Sequence, residues 1–252
     1  MDLSFYTAAV GAQQQQDRLD VHGNNIANVN TYGFRARIPA FSSLMTGPVT
    51  GIDKDLPRGV GSRLEDAETD FRTTGVTGTG RALDFAIDGD GFFALMDPAT
   101  GEISYTRDGS FTMSEYPAQG EAGKEWEAQD QTTWRLTDGM GRFVLSATGA
   151  PITITTTGTV DLFDVEFNVG IFDFVNRNGM LSLNDNRHIP VDKNGQVTVG
   201  SGKLVRGYLE LSNADLANEM VKVIESQRSF QYMLRMVTTS DEIESTVNSL
   251  RS

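Results

Sequence analysis

The chain has 252 residues, a formal net charge of −13 and no cysteine. That charge argues against a general nucleic-acid binder, which needs a positive surface to displace counterions, and against docking on an anionic membrane. The missing cysteine excludes disulfides, thiolate metal ligands and cysteine nucleophiles, while a hydrophobic content of 38% is enough for a packed core.

The N-terminus, Met1-Asp2-Leu3-Ser4-Phe5-Tyr6, has neither a basic n-region nor a continuous apolar run, so no cleaved signal peptide is expected. No stretch approaches the roughly 18 apolar residues of a membrane span. Phe5, Ala9, Ala12, Gln16, Leu19, Gly23 and Ile26 recur in steps of four and three, which predicts a helix with a narrow stripe. Half of that stripe is small or polar, so it buries little area. Asn24, Asn25, Asn28 and Asn30 crowd its end, and Gly33 offers a stop. The Asn side chains are expected to bond neighbouring backbone.

Residues 34–80 are rich in Gly, Thr and Ser and read as an extended connecting segment with a few short strands. From 81 onward, short apolar runs such as Leu83–Asp88, Phe92–Met96, Ile103–Arg107, Phe143–Ser146, Ile152–Thr157 and Phe167–Phe174 alternate with Asp-Gly, Asn-Gly and Thr-Gly turns. That is the pattern of antiparallel hairpins. After Gly207 there is neither glycine nor proline, so the tail lacks both strong helix breakers. Ser212 and Asp215 have capping-box spacing. Leu216, Met220, Val223, Gln227, Phe230, Leu234 and Val237 then form a coiled-coil-like seam. Near Asp241 the phase slips, and the stripe continues through Ser240, Ile243, Val247 and Leu250. The expected class is α+β. Terminal helices within 1–33 and 212–252 pair as a coiled-coil-like assembly domain, and 81–211 form an all-β antiparallel domain. An apolar stripe on so long a helix needs partner helices.

Several tempting motifs have plainer readings. Gly75-Val76-Thr77-Gly78-Thr79-Gly80 lacks the Lys-Ser/Thr and the following helix of a phosphate loop. Asp88-Gly89-Asp90-Gly91 and Asp192-Lys193-Asn194-Gly195 lack the full ligand series of a calcium loop and suit tight turns. His22 and His188 pair with no nucleophile and read as ordinary polar positions. No catalytic, cofactor or metal site is expected.

Three blocks resemble the bacterial flagellar basal-body rod and hook protein family. The first is Leu19-Asp20-Val21, Asn24-Asn25-Ile26-Ala27-Asn28-Val29-Asn30-Thr31 and Gly33-Phe34. The second is Leu83 through Phe93, continued by Tyr105-Thr106-Arg107-Asp108-Gly109-Ser110-Phe111. The third runs from Gly207-Tyr208-Leu209-Glu210-Leu211-Ser212-Asn213 through Glu219-Met220-Val221 and Gln227-Arg228-Ser229-Phe230 to Asp241-Glu242. The resemblance implies a structural subunit of a helical polymer that carries torque from motor to hook. Its partners would be copies of itself and other rod or hook subunits. It would be exported by the flagellar type III apparatus, with no cleaved signal, no nucleic acid and no membrane insertion.

Phe34-Arg35-Ala36-Arg37-Ile38 is similar to an export-gate signal, although core packing explains Phe34 equally well. Gln13–Gln16, His22 and the polar insertion Glu115–Gln131 depart from the family pattern. The proximal or distal identity of the rod subunit stays open. A hook or hook-junction protein, or a ligand-binding β domain with helical tails, are the alternatives.

Overall fold

The computed structural model describes residues 3–44, 47–48, 57–58, 61–115, 132–156, 162 and 165–250. Residues 116–131, nearly all of the polar insertion, lie outside the described residues. The chain forms two compact units: Met1–Val29 with Ala36–Asp70 and Ala214–Ser252, and Asn30–Arg35 with Phe71–Asn213.

The helical unit is built from α1 (Leu3–Ala27), β1 (Arg37–Ser43), β2 (Gly47–Pro48), β3 (Pro57–Arg58), β4 (Ser62–Thr69) and α2 (Leu216–Ser249). The proline-free N-terminus sustains α1 for 25 residues. It closes at the Asn cluster, where Asn28 Nδ2 donates to the Asn24 carbonyl at 2.9 Å. The α2 helix starts later than the sequence pattern suggested. Its N-cap is Asp215, whose carboxylate accepts from the Ala217 and Asn218 amides at 3.0 and 3.3 Å, and Ser212 lies outside the helix. The cause is that Tyr208–Glu210 is already committed to a strand. With 34 residues, α2 is about 51 Å long at 1.5 Å per residue. It runs unbroken through Asp241.

The two helices lie antiparallel. His22 meets Glu219, while eleven positions back along α1 a Cβ at Gly11 would touch Met233 Sδ at 3.2 Å. Strands β1 and β4 pair antiparallel, with a register shift between Ala40 and Phe41. They pack on α1, where the Gln14 side-chain oxygen accepts from the Leu64 amide. The segment 34–80 is therefore more than a connector. Its first part is a hairpin of the helical unit, and its last part supplies a strand to the β unit.

The β unit contains β5 (Val76–Gly78), β6 (Phe85–Asp88), β7 (Phe93–Met96), β8 (Ile103–Thr106), β9 (Thr112–Glu115), β10 (Thr132–Thr137), β11 (Phe143–Val144), β12 (Thr153–Thr156), β13 (Phe172–Phe174), β14 (Leu181–Ser182), β15 (Arg187–Ile189), β16 (Val197–Val199), β17 (Lys203–Arg206) and β18 (Tyr208–Glu210). The main sheet has the order β12-β10-β11-β7-β8-β15-β14, with β9 also on β10. Ribbons β13–β16, β6–β17 and β5–β18 complete the unit. Each of these pairings is antiparallel.

Strand β7 explains why its sequence is a continuous apolar run. Phe93 and Leu95 enter a core with Phe85, Ile87, Phe111, Leu136 and Val144. Phe92 and Ala94 enter a second core with Tyr105, Leu145, Phe174 and Met180. A strand covered on both faces loses the usual polar alternation. Ring pairs lock both cores edge to face, Phe93 on Phe111 at 5.2 Å and Tyr105 on Phe174 at 4.8 Å between centroids. Gly109 permits the closest approach, since a Cβ there would fall 1.7 Å from the Phe85 carbonyl oxygen.

Candidate assembly interface

The face of α2 turned toward α1 is Glu219, Val223, Ser226, Phe230, Met233, Val237 and Ser240, all buried or half-buried and spaced four and three apart. The seam read from sequence shares Val223, Phe230 and Val237 with this face. Leu216, Met220, Gln227 and Leu234 fall beside it and are exposed, as are Ile243, Val247 and Leu250. The physical reason for the offset is that polar Glu219, Ser226 and Ser240 interrupt the apolar contact face of Val223, Phe230, Met233 and Val237, while apolar Met220 and Leu234 stand directly beside it. Hydrophobicity alone therefore pointed one residue away. The same holds on α1. There Ala12 is buried and Leu19 and Ile26 are half-buried, but Phe5 and Ala9 are exposed, and Ala8, Gln14, His22 and Asn25 supply the burial.

Among the described residues of the helical unit, the only buried apolar side chains are Ala8, Ala12 and Ala36. Every large buried apolar residue among the described ones belongs to the β unit. Val223, Phe230, Met233 and Val237 of α2 are half-buried, while Met220, Val221, Ile224, Tyr232, Leu234, Met236, Ile243, Val247 and Leu250 are all between 44% and 82% exposed.

A polar cluster takes the place of a core near the start of α2. His22 Nδ1 lies 2.6 Å from Glu219 Oε2, and Arg18 Nε donates to His22 Nε2 at 3.4 Å. Asn25 Nδ2 donates to the Arg37 carbonyl at 2.9 Å and to Glu219 Oε2 at 3.2 Å, and its Oδ1 accepts from the Arg37 amide at 2.9 Å. Lys222 Nζ reaches Glu219 Oε1 at 2.8 Å. Burial pushes the Glu219 carboxyl up, but the bonds from Lys222, Asn25 and His22 outweigh it and hold the group below its ordinary value.

His22, read from sequence as an ordinary polar position, is 1% exposed and paired with Glu219. A clue in the sequence is its place three residues after Leu19, on the stripe's inner side. Asn25 makes the amide-to-backbone bonds expected of the Asn cluster, whereas Asn24 and Asn30 are exposed and Asn28 is half-buried. Phe34 is buried in the β unit, and Ile38 is half exposed on β1.

The other singled-out residues have structural partners. His188 is buried, with Phe71 and Phe92 rings beside it. Asn194 is fully buried and bonds the Val191 amide and the carbonyls of Asn176 and Asn178, which makes 192–195 a turn. The glycine run from Gly75 holds β5, paired with β18. A cavity of about 210 Å³ is lined by Asp108, Asp138, Asp185 and Arg142, and Arg142 bridges Asp138 and Asp185.

The β unit also contains a buried ion cluster. Arg35 Nη2 reaches Glu210 Oε1 at 2.6 Å, and Arg107 Nη1 reaches Glu210 Oε2 at 3.2 Å. All three side chains are at most 3% exposed. Burial pushes the Arg107 guanidinium down to about 10, with Glu210 pulling the other way. Gly33 lies against the backbone beside this cluster. Its φ is +66°, and a Cβ would fall 2.4 Å from the Asp108 amide nitrogen.

The helical unit is thus closed by both helices with many apolar residues of α2 left exposed, and the separately cored β unit is inserted into it in sequence. Three family profiles match along the chain. They are the flagella basal body rod protein over residues 5–35, the flagellar hook protein FlgE/F/G D1 domain over 86–124, and the flagellar basal body rod FlgEFG protein C-terminal region over 205–250. The flagellar basal-body rod protein FlgG of Bacillus subtilis is 32% identical over 95% of this chain and 96% of its own length. That of Caulobacter vibrioides is 28% identical over 98% of each chain. The flagellar hook protein FlgE of Salmonella typhimurium is 37% identical over 45% of this chain and 26% of its own. The chain belongs to the flagellar basal-body rod protein family, a family of structural proteins.

Proposed function

We propose that the chain is a subunit of the bacterial flagellar basal-body rod, polymerising head to tail into a helical drive shaft that transmits torque from motor to hook. Head-to-tail contacts propagate instead of closing as a dimer. The observation that carries this reading is that no large apolar side chain is fully buried among the described residues of the helical unit, while α2 leaves Met220, Val221, Ile224, Leu234, Ile243, Val247 and Leu250 exposed. Such a helix gains its stability from neighbours. The helix pair provides the coiled-coil-like assembly domain, and other rod or hook subunits cover Met220, Leu234, Ile243, Val247 and Leu250. Subunits leave the cytoplasm through the flagellar type III export apparatus, with the stretch from Phe34 to Ile38 as part of the recognised segment. The full-length similarity to rod proteins, against a partial one to a hook protein, favours the rod. Electron microscopy of purified basal bodies carrying a labelled subunit tests this. Label along the rod is expected, and label confined to the hook would overturn it.

A further inference from the structure

The chain passes between its two units at four places: after Val29, Arg35, Asp70 and Asn213. On the β-unit side these passages leave three short tethers, 30–35, 71–75 and the residues just before 214. One buried cluster touches all three. The Gly33 amide donates to the Glu210 carbonyl at 2.9 Å, and the Asn213 amide to the Phe34 carbonyl at 3.3 Å. The Thr74 amide donates to Glu210 Oε1 at 3.3 Å, and Thr74 Oγ1 to the Leu211 carbonyl at 2.6 Å. Arg35 carries its second bond to the Arg72 carbonyl at 2.9 Å. Arg107 anchors the other side to the carbonyls of Ile87 and Gly89 at 3.3 and 2.8 Å.

We propose that Glu210, with Arg35 and Arg107, is a clamp that holds the three tethers as one mechanical joint, through which load on the helical unit enters the β unit. The chemistry of the cluster favours this over simple core stabilisation. Two buried cations on one carboxylate are expensive to desolvate, and an apolar filling of similar volume is often as stable or more so. What an apolar filling lacks is direction. Here Oε1 takes charge-assisted bonds from the first two tethers and Oε2 from Arg107 at the end of β8, while the third tether follows Glu210 directly in the chain and is joined to the others by the Asn213–Phe34 and Thr74–Leu211 bonds. The clamp also gives a shared physical role to Gly33, Arg35, Arg107 and Glu210, which come from three separate sequence blocks.

The load-carrying role rests on the rod reading; the joint itself does not, and hydrogen exchange on the purified full chain tests it directly. Glu210→Gln keeps the shape and leaves both cations unpaired. It is expected to speed exchange of the Gly33, Thr74 and Asn213 amides together, by about a hundredfold or more, with Phe93–Met96 as slow as before. Arg35→Met leaves a balanced Arg107–Glu210 pair and is expected to accelerate the same three amides by a smaller common factor. If Glu210→Gln does not fold, Arg35→Met decides. The joint is overturned if one tether loosens alone, or if the Phe93–Met96 amides accelerate by the same factor. The mechanical role is read in cells whose Arg35→Met rods are complete by microscopy. Swimming loss should grow with medium viscosity, and a loss equal at every viscosity would contradict it.

Discussion

Replacing Leu234 and Ile243 by Asp together should abolish rod assembly while leaving the isolated chain folded. In the isolated chain these residues are 44% and 57% exposed, so about half of each side chain's burial is still to be gained. Full burial of such a residue stabilises by roughly 1.5–3 kcal/mol, which puts the lost half-burials of the pair at about 1.5–3 kcal/mol. An unpaired carboxylate forced into an interface costs several kcal/mol more. The sum is on the order of 5 kcal/mol per subunit, a weakening of more than a thousandfold at 1.4 kcal/mol per tenfold. Neither residue faces α1, so the helix pair loses only the helix propensity of two exposed positions, about 0.5 kcal/mol each. Circular dichroism of the purified variant should therefore match the parent, while motility and incorporation into purified basal bodies disappear. A motile double variant with normal incorporation would refute the assignment of this face.

Asn25→Ala removes both backbone bonds to Arg37 and one to Glu219. It should destabilise the helical unit by about 2 kcal/mol, seen as a lower helical melting midpoint with the β unit's transition unmoved. Gly109→Ala drives a methyl into the Phe85 carbonyl and should cost about 3 kcal/mol or more, read from chemical denaturation of the β unit. Acid should loosen the helix pair. Because Glu219 titrates lower in the folded chain than its free value of about 4.3, its contribution is present above that value and is lost as pH falls through the folded one. Helical ellipticity should drop in that window, and Glu219→Gln should remove this step.

The strands of the β unit were legible because turn chemistry and apolar runs coincide there; Phe93–Met96, for example, fills both cores. The two long helices were legible from the missing prolines and the four-and-three spacing, and α2 also from the absence of glycine after Gly207; α1 keeps Gly11 and Gly23. The contact face between the helices was legible only in part, through Val223, Phe230 and Val237. Ala8, Ala12, Ser226, Glu219 and His22 carry little hydrophobic signal, so the eye follows Leu216, Met220 and Leu234, which lie next to it. The pairing of β1 with β4 was hidden for a different reason. Its partners, such as Phe41 and Leu64, are more than twenty residues apart. The ion cluster needed the fold as well, since Arg35, Arg107 and Glu210 come from three distant blocks. Each stood inside a recognisable motif with no sign that the motifs meet.

The outward face of α2 can be read directly, because the chain has no cysteine of its own. A single Leu234→Cys substitution gives a thiol whose maleimide labelling rate can be followed in the free chain and in purified basal bodies, with Ser226→Cys on the inner face as the shielded reference. Rapid labelling of position 234 in solution and strong protection within the rod is the expected result. Equal labelling in both states would mean that neighbouring subunits leave this face bare.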